Sequence, residues 1–253
     1  MMSESYSTPV TDIQNRHASV RSFIDKPVPD EMVRAILNAA RRSPTSSNWQ
    51  SYSIIVVRDL EKRKQLAVLA GNQQHIVECQ VFVAFCADIQ RLKMACAMHG
   101  IEPAKGLELS LVATVDAALV GMSTQTAAES FGLGAVMIGG MRNWPKQVAE
   151  VLDLPSGVYV VYGMSIGWPD PDQISPSLKP RLPEELVIHY EQYDDSDPRP
   201  KMTEYNDALA TYYGAQDRNQ HHAAWTGPIA NKLKQQRRKH LRNTLEEMGF
   251  RFD

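Results

Sequence analysis

At 253 residues the chain is long enough to bury a sizeable core, and one mixed domain with an excursion accounts for its length. Its 27 basic and 29 acidic side chains leave a formal net charge of -2, which excludes a global field drawing it to nucleic acid or an anionic membrane. The three cysteines, Cys79, Cys86 and Cys96, have no Cys-x-x-Cys spacing and sit in or near apolar stretches, the usage of packing thiols in a reducing compartment. Met1 to Val10 is polar and has no signal-peptide pattern, and no apolar stretch is expected to approach the roughly 20 residues that span a bilayer, so a soluble cytoplasmic protein is expected.

Apolar periodicity predicts alternating helices and strands. Pro29 and Asp30 open a helix whose Val33, Ile36, Leu37 and Ala40 recur at helical spacing, ending before Pro44. Tyr52 to Val57 is rich in strand formers; Leu60 to Ala70 is helical and closed by Gly71 and Asn72. Val81 to Ala87 reads as a buried strand, followed by a short helix and a long one from about Leu107 to Phe131. The long helix carries Ala113, Ala117, Ala118, Gly121, Ala127 and Ala128, small residues that permit close packing in a core or at a subunit interface. Leu133 to Ile138 and Val158 to Ile166 complete four strands, which favours an α/β or α+β sheet flanked by helices. Beyond Gly167 the chain is punctuated by prolines, and two further helices are expected, Lys201 to Tyr213 and Pro228 to Met248.

Four stretches could carry chemistry. Arg16-His17-Ala18-Ser19-Val20-Arg21 offers cationic and neutral donors to a phosphate, or is a solvated helix end. Ser43-Pro44-Thr45-Ser46-Ser47-Asn48-Trp49-Gln50 is dense in hydrogen-bonding groups suited to a heterocycle edge or a ribityl chain, and equally reads as a connecting loop. Gly134 to Arg142 is a buried strand ending in Gly139-Gly140, where a flat ligand can approach the backbone. Lys179-Pro180-Arg181 sets two cations about a rigid proline. No zinc spacing, catalytic triad or paired carboxylate stands out, and the adjacent His221 and His222 have no cysteine or carboxylate at ligand spacing.

Taken with Gly71 to His75 and Gly167-Trp168-Pro169, these stretches resemble, in order and spacing from about residue 12 to about 249, the oxygen-insensitive major nitroreductase and flavin reductase P group of the nitroreductase superfamily. The resemblance implies a single α+β domain over residues 1–253, with a central mixed β-sheet flanked by helices and a C-terminal helical excursion over about residues 168–253. It implies a homodimer with one FMN per subunit at the interface. His17, Ser19, Arg21, Lys179 and Arg181 would hold the phosphate, the ribityl end or the pyrimidine oxygens. Ser46, Ser47, Gln50 and Gln73 would bond the ribityl hydroxyls or ring edge, and Ile138, Gly139 and Gly140 would line the isoalloxazine.

No side-chain catalyst is then required, because the cofactor carries the redox chemistry; a cation such as Arg21 near N1 and O2 would raise the flavin potential. NADPH or NADH would be the electron donor, and nitroaromatics, quinones or free flavin the acceptors. An alternative function is supply of reduced FMN to a partner monooxygenase. A non-enzymatic nucleic-acid-binding role, through Lys232, Lys234, Arg237, Arg238, Lys239 and Arg242, is the reading from another class, although an amphipathic helix with a solvated basic face accounts for the same residues. Two departures from the family pattern stand out. Ala18 occupies a position where the family usually has an arginine, leaving Arg16 to substitute. In the loop where relatives grip the 2′-phosphate of NADPH, Gln216 and His221 stand at the arginine positions, with Arg218 displaced between them.

Overall fold

The computed structural model describes residues 6–104, 106–173, 177–215 and 225–252. Its centre is a four-stranded sheet of β1 (Tyr52–Val57), β2 (Val81–Asp88), β3 (Gly134–Ile138) and β4 (Val158–Gly167), in the order β1-β2-β4-β3, with α4 (His75–Glu78) before β2 and α5 (Gln90–Ala97) after it in the chain. All three strand pairings are antiparallel; the parallel contribution expected of a mixed sheet is a single bridge, Ser19 to Ala135.

Both faces of the sheet are covered, which explains why β2 reads as an unbroken apolar run rather than an alternating one. Val81, Val83, Phe85 and Ala87 face one core with α2 (Asp30–Ala40) and α6 (Leu107–Ser130), whereas Phe82, Ala84 and Cys86 face a second core with α3 (Leu60–Leu69) and α7 (Pro145–Val151). The register slips between Phe85, opposite Tyr162, and Cys86, opposite Val160, so Val161 is an extra residue in β4. Tyr162 is thereby turned to the α6 side, where its hydroxyl donates to Ala118 O at 3.1 Å, and Arg142 donates to the carbonyl of Val161. A Cβ on Gly121 would lie 1.7 Å from that hydroxyl, so the small residues of α6 serve its approach to the sheet. Cys79 and Cys86 are buried and Cys96 half-buried; burial raises the Cys86 thiol to about 12, which keeps it unreactive.

Helix boundaries follow local signals. The Asp59 carboxylate caps α3 through Lys62 N at 2.7 Å, and Gly71 and Asn72 leave it with positive φ. A seven-residue α1 (Pro9–Asn15), not anticipated from periodicity, is held by a capping box between Thr8 and Thr11. The expectation that no apolar stretch approaches membrane-spanning length is corrected at α6, which is long and apolar enough to cross a membrane by length and composition alone. It nevertheless buries Asp116, Thr124 and Gln125 against the fold, as a core helix does.

The chain forms two compact units, residues 1–174 with 238–253, and residues 175–237. The single helix expected over Pro228 to Met248 is corrected: α9 (Thr226–Leu233) and α10 (Leu241–Glu247) are separate. Between them Arg238 adopts φ +52° and donates to Asn143 Oδ1 at 2.9 Å and Gly139 O at 3.2 Å, bonds that a continuous helix with a solvated basic face would forgo. In the second unit, Tyr205 of α8 (Arg199–Gly214) donates to Pro180 O at 3.0 Å and Lys179 lies over the Tyr213 ring at 5.2 Å, fixing the Lys179-Pro180-Arg181 segment to that helix.

Candidate functional site

The segment after α1 runs extended beside β3, with Val20 N donating to Ala135 O at 3.0 Å and Ser19 bridged to Ala135. Val20 fills the space a Cβ on Gly134 would occupy, so a glycine there is what admits the arm. Val20 lies over Gly134, while His17, whose N–H still bonds Gln14 O at 3.2 Å, turns to Glu129 of α6, and Arg21 lies near enough to His75 for its charge to act there. Arg16 turns back instead, donating through Nε to Asp12 O at 3.1 Å.

β3 ends in Ile138, and the chain then tightens through Gly139 and Gly140. A Cβ on Gly140 would meet Ala70 O at 2.4 Å and Gln73 Nε2 at 2.8 Å, so the glycine brings Gln73 onto the strand end. Gln73 donates through Nε2 to Ala70 O at 2.8 Å and accepts at Oε1 from His75 Nε2, 3.0 Å away. With Nε2 carrying the proton, His75 Nδ1 accepts from Ser165 Oγ at 3.2 Å. Burial, with the nearby Arg21 charge second, lowers the His75 pKa from 6.5 to about 4, so the ring is neutral and the chain of donors has one orientation. In the sequence His75 closes the Gly71 to His75 stretch without a role of its own; its bonds to Gln73 and Ser165 give it one.

The Ser46 to Gln50 segment is held elsewhere. Ser47, Asn48 and Gln50 have φ of +46°, +58° and +50°, a conformation costing side-chain-bearing residues roughly 1 kcal/mol each. Asp116, buried on α6, offsets this by accepting from Ser46 N at 3.2 Å and from Ser51 N and Oγ at 3.0 and 2.7 Å. Arg91 adds a bond to Gln50 O at 3.1 Å. A cavity of about 410 Å³ lies between Pro44 to Ser46 and Leu111, Val112, Val115, Asp116 and Leu119 of α6.

The same helix holds His17, whose Nδ1 is 2.6 Å from Glu129 Oε1. Thirteen helical residues separate Asp116 from Glu129, about 20 Å at 1.5 Å each. The structure therefore gathers the candidates into two groups: His17, Ser19 and Arg21 along β3 with Gln73, Ile138, Gly139 and Gly140 at its end, and Ser46, Ser47 and Gln50 toward the opposite end of α6. Lys179 and Arg181 belong to the second unit, and Gln216, Arg218 and His221 lie outside the described residues. Asp116 and Glu129 were not singled out from sequence, and Arg238 was read only as part of a basic helix face. Each acts through a partner remote in the chain, and only the positive φ of Arg238 is local; no periodicity signals that.

Residues 13–168 match the nitroreductase family model and residues 179–253 that family's C-terminal domain. The chain is 37% identical over 243 residues to an oxygen-insensitive NADPH nitroreductase of Salmonella typhimurium, covering 96% of this chain and 98% of the relative. It is 37% identical over 239 residues to an FMN reductase (NADPH) of Bacillus subtilis, covering 92% and 95%. Among solved structures, an NADPH:FMN oxidoreductase from Vibrio harveyi complexed with NAD+ matches with a TM-score of 0.86 at 34% identity, over 96% of this chain and 99% of that one.

Proposed function

Because the chain belongs to the nitroreductase family, we propose that it is a cytoplasmic FMN-dependent NAD(P)H oxidoreductase that reduces nitroaromatics, quinones or free flavin by a ping-pong cycle. The observation that carries this reading is the bridge of Ser19 to Ala135, which lays the segment bearing His17, Ser19 and Arg21 beside a strand ending in Gly139-Gly140. The residues fit FMN in kind: an imidazole, a hydroxyl and a guanidinium for an anion, and side-chain-free backbone at the strand end for a planar ring.

Bound FMN supplies the two-electron exchange between nicotinamide and acceptor. The protein's part is to bind and orient. Arg21 places a fixed positive charge against the pyrimidine side, Ser19 and Gln73 donate to hydroxyls or the ring edge, and Ile138, Gly139 and Gly140 form the floor. Lys179 and Arg181 keep the phosphate role the resemblance gives them.

We propose further that the enzyme works as a homodimer with the flavin at the interface. Leu107, Leu111, Val115, Leu119 and Met122 form an exposed apolar row along α6, spaced three or four residues apart. The row borders the cavity beside Ser46, and the separation of the two residue groups along α6 suits a site completed by the Ser46 to Gln50 loop of a second copy.

Purified protein should be yellow and should bleach anaerobically on adding NAD(P)H. A colourless protein that takes up no added FMN refutes the proposal. The relative named as an FMN reductase supports a second reading, supply of reduced flavin to a partner monooxygenase. Turnover with free FMN far above that with nitrofurazone-like and quinone acceptors favours it; the reverse favours a nitroreductase. Steady-state rates with NADPH and NADH, each repeated with Arg218→Ala, test the nicotinamide assignment. A rise in KM confined to NADPH supports a 2′-phosphate contact, and equal rises refute it.

A further inference from the structure

We infer that Glu129 is a positioning residue for anion recognition: it holds His17 by Nδ1, so that Nε2 is the nitrogen presented to the phosphate of the flavin. The inference rests on the FMN reading above and adds to it the part of the chain that orients the phosphate ligand.

Gln125 and Glu129 stand one helical turn apart on α6 and so share a face. Both meet the same atom. Glu129 Oε1 lies 2.6 Å from His17 Nδ1 and Gln125 Nε2 lies 2.9 Å from the same nitrogen; an Nδ1–H donating to the carboxylate has no lone pair for an amide N–H, so Gln125 lines this edge of the ring and Glu129 is its hydrogen-bond partner. The two helix residues thus clasp one edge of the imidazole. Among the described residues Nε2, on the opposite edge, has no hydrogen-bond partner.

The side chains of His17 and Glu129 are 21% and 13% exposed, so the pair is largely withdrawn from water and only a minor part of its surface remains open. Burial pushes the Glu129 pKa up and contact with His17 draws it back, the pattern of a carboxylate whose removal from water is repaid by one specific partner. A carboxylate at Nδ1 takes that nitrogen's proton as a charge-assisted hydrogen bond, fixing ring orientation as second partners of ligand histidines do. Nε2, on the unpartnered edge, is then the nitrogen left to face the phosphate, and Arg21 remains for the ring.

A merely structural Glu129 would lower affinity for any flavin, whereas a positioning role concerns the phosphate alone. Riboflavin, which lacks the phosphate, separates the two. In fluorescence titrations of the apoprotein, Glu129→Gln is expected to weaken FMN binding about tenfold and riboflavin binding less than twofold. His17→Gln should do the same, and the double variant should be no worse than His17→Gln, since both changes remove one interaction. Equal losses for FMN and riboflavin, an unchanged ratio, or additive effects overturn the inference while leaving the FMN reading intact. Wild-type protein that binds neither flavin overturns both. A flavin-free measurement guards against misfolded variants: the 15N signals of His17 in wild-type apoprotein should show the proton on Nδ1, and a ring protonated at Nε2 alone refutes the proposal.

Discussion

Asp116 and Ser51, sixty-five residues apart in sequence, are joined twice: the buried carboxylate accepts both the backbone N–H of Ser51 at 3.0 Å and its hydroxyl at 2.7 Å. Asp116 also takes Ser46 N, so one side chain anchors both ends of a loop with three left-handed, side-chain-bearing residues. Replacing Asp116 with Ala leaves the buried Ser51 N–H and hydroxyl unpaired, while the N–H of exposed Ser46 can turn to water. At about 1 kcal/mol or more for each of the two buried donors, the expected loss is roughly 2 kcal/mol, a fall in Tm of about 4–8 °C for a fold of this size. Calorimetry with and without FMN checks it, and an unchanged Tm would show that the loop holds its shape unaided.

The His75 network predicts an acid-side loss of stability. The folded-state pKa lies at about 4, below the ordinary 6.5, so between these values the unfolded chain takes up a proton that the native ring refuses. The contribution is thus complete above pH 6.5 and lost progressively as pH falls toward 4. Urea midpoints of the wild type should drop between pH 7 and 4.5 by more than those of His75→Gln. Parallel curves for the two proteins would mean that His75 titrates normally.

At Gly140 even a methyl group meets backbone, since Ala70 O lies 2.4 Å from the position of an added Cβ. Gly140→Ala should displace the strand end and Gln73 together, costing about 1–3 kcal/mol and weakening riboflavin and FMN equally, because the damage lies at the ring. Selective loss of FMN would contradict that placement.

The apolar row on α6 sets the test of assembly. Leu111 and Val115 are 49% and 54% exposed in the isolated chain, too much apolar surface in one row for a helix that ends in water. Leu111→Glu with Val115→Glu is expected to convert a dimer to a monomer in analytical ultracentrifugation and to abolish FMN retention. A wild type that sediments as a monomer at micromolar concentration would refute the dimer, and a charged double variant that stays dimeric would place the interface elsewhere.

Much of this architecture is local in origin. The four strands, α2, α3 and α6 were readable because their patterns are short-range: apolar runs of strand length, and helical spacing closed by Pro44 or Gly71-Asn72. The ordered motifs were likewise sufficient to point to the family, since each is a string of contiguous residues. α1 escaped because a polar capping box, rather than an apolar stripe, defines it.

What tertiary structure alone decided is how those motifs meet. The flip of β4 at Val161, the break at Arg238, the clasp of Glu129 on His17 and the anchoring of the Ser46 to Gln50 loop by Asp116 all depend on partners 19 to 112 residues distant. A hydrogen bond between remote residues leaves no periodic trace in either segment. Local propensity therefore determined which elements exist, while polar groups deprived of water and needing a partner determined where the donors of the candidate site point.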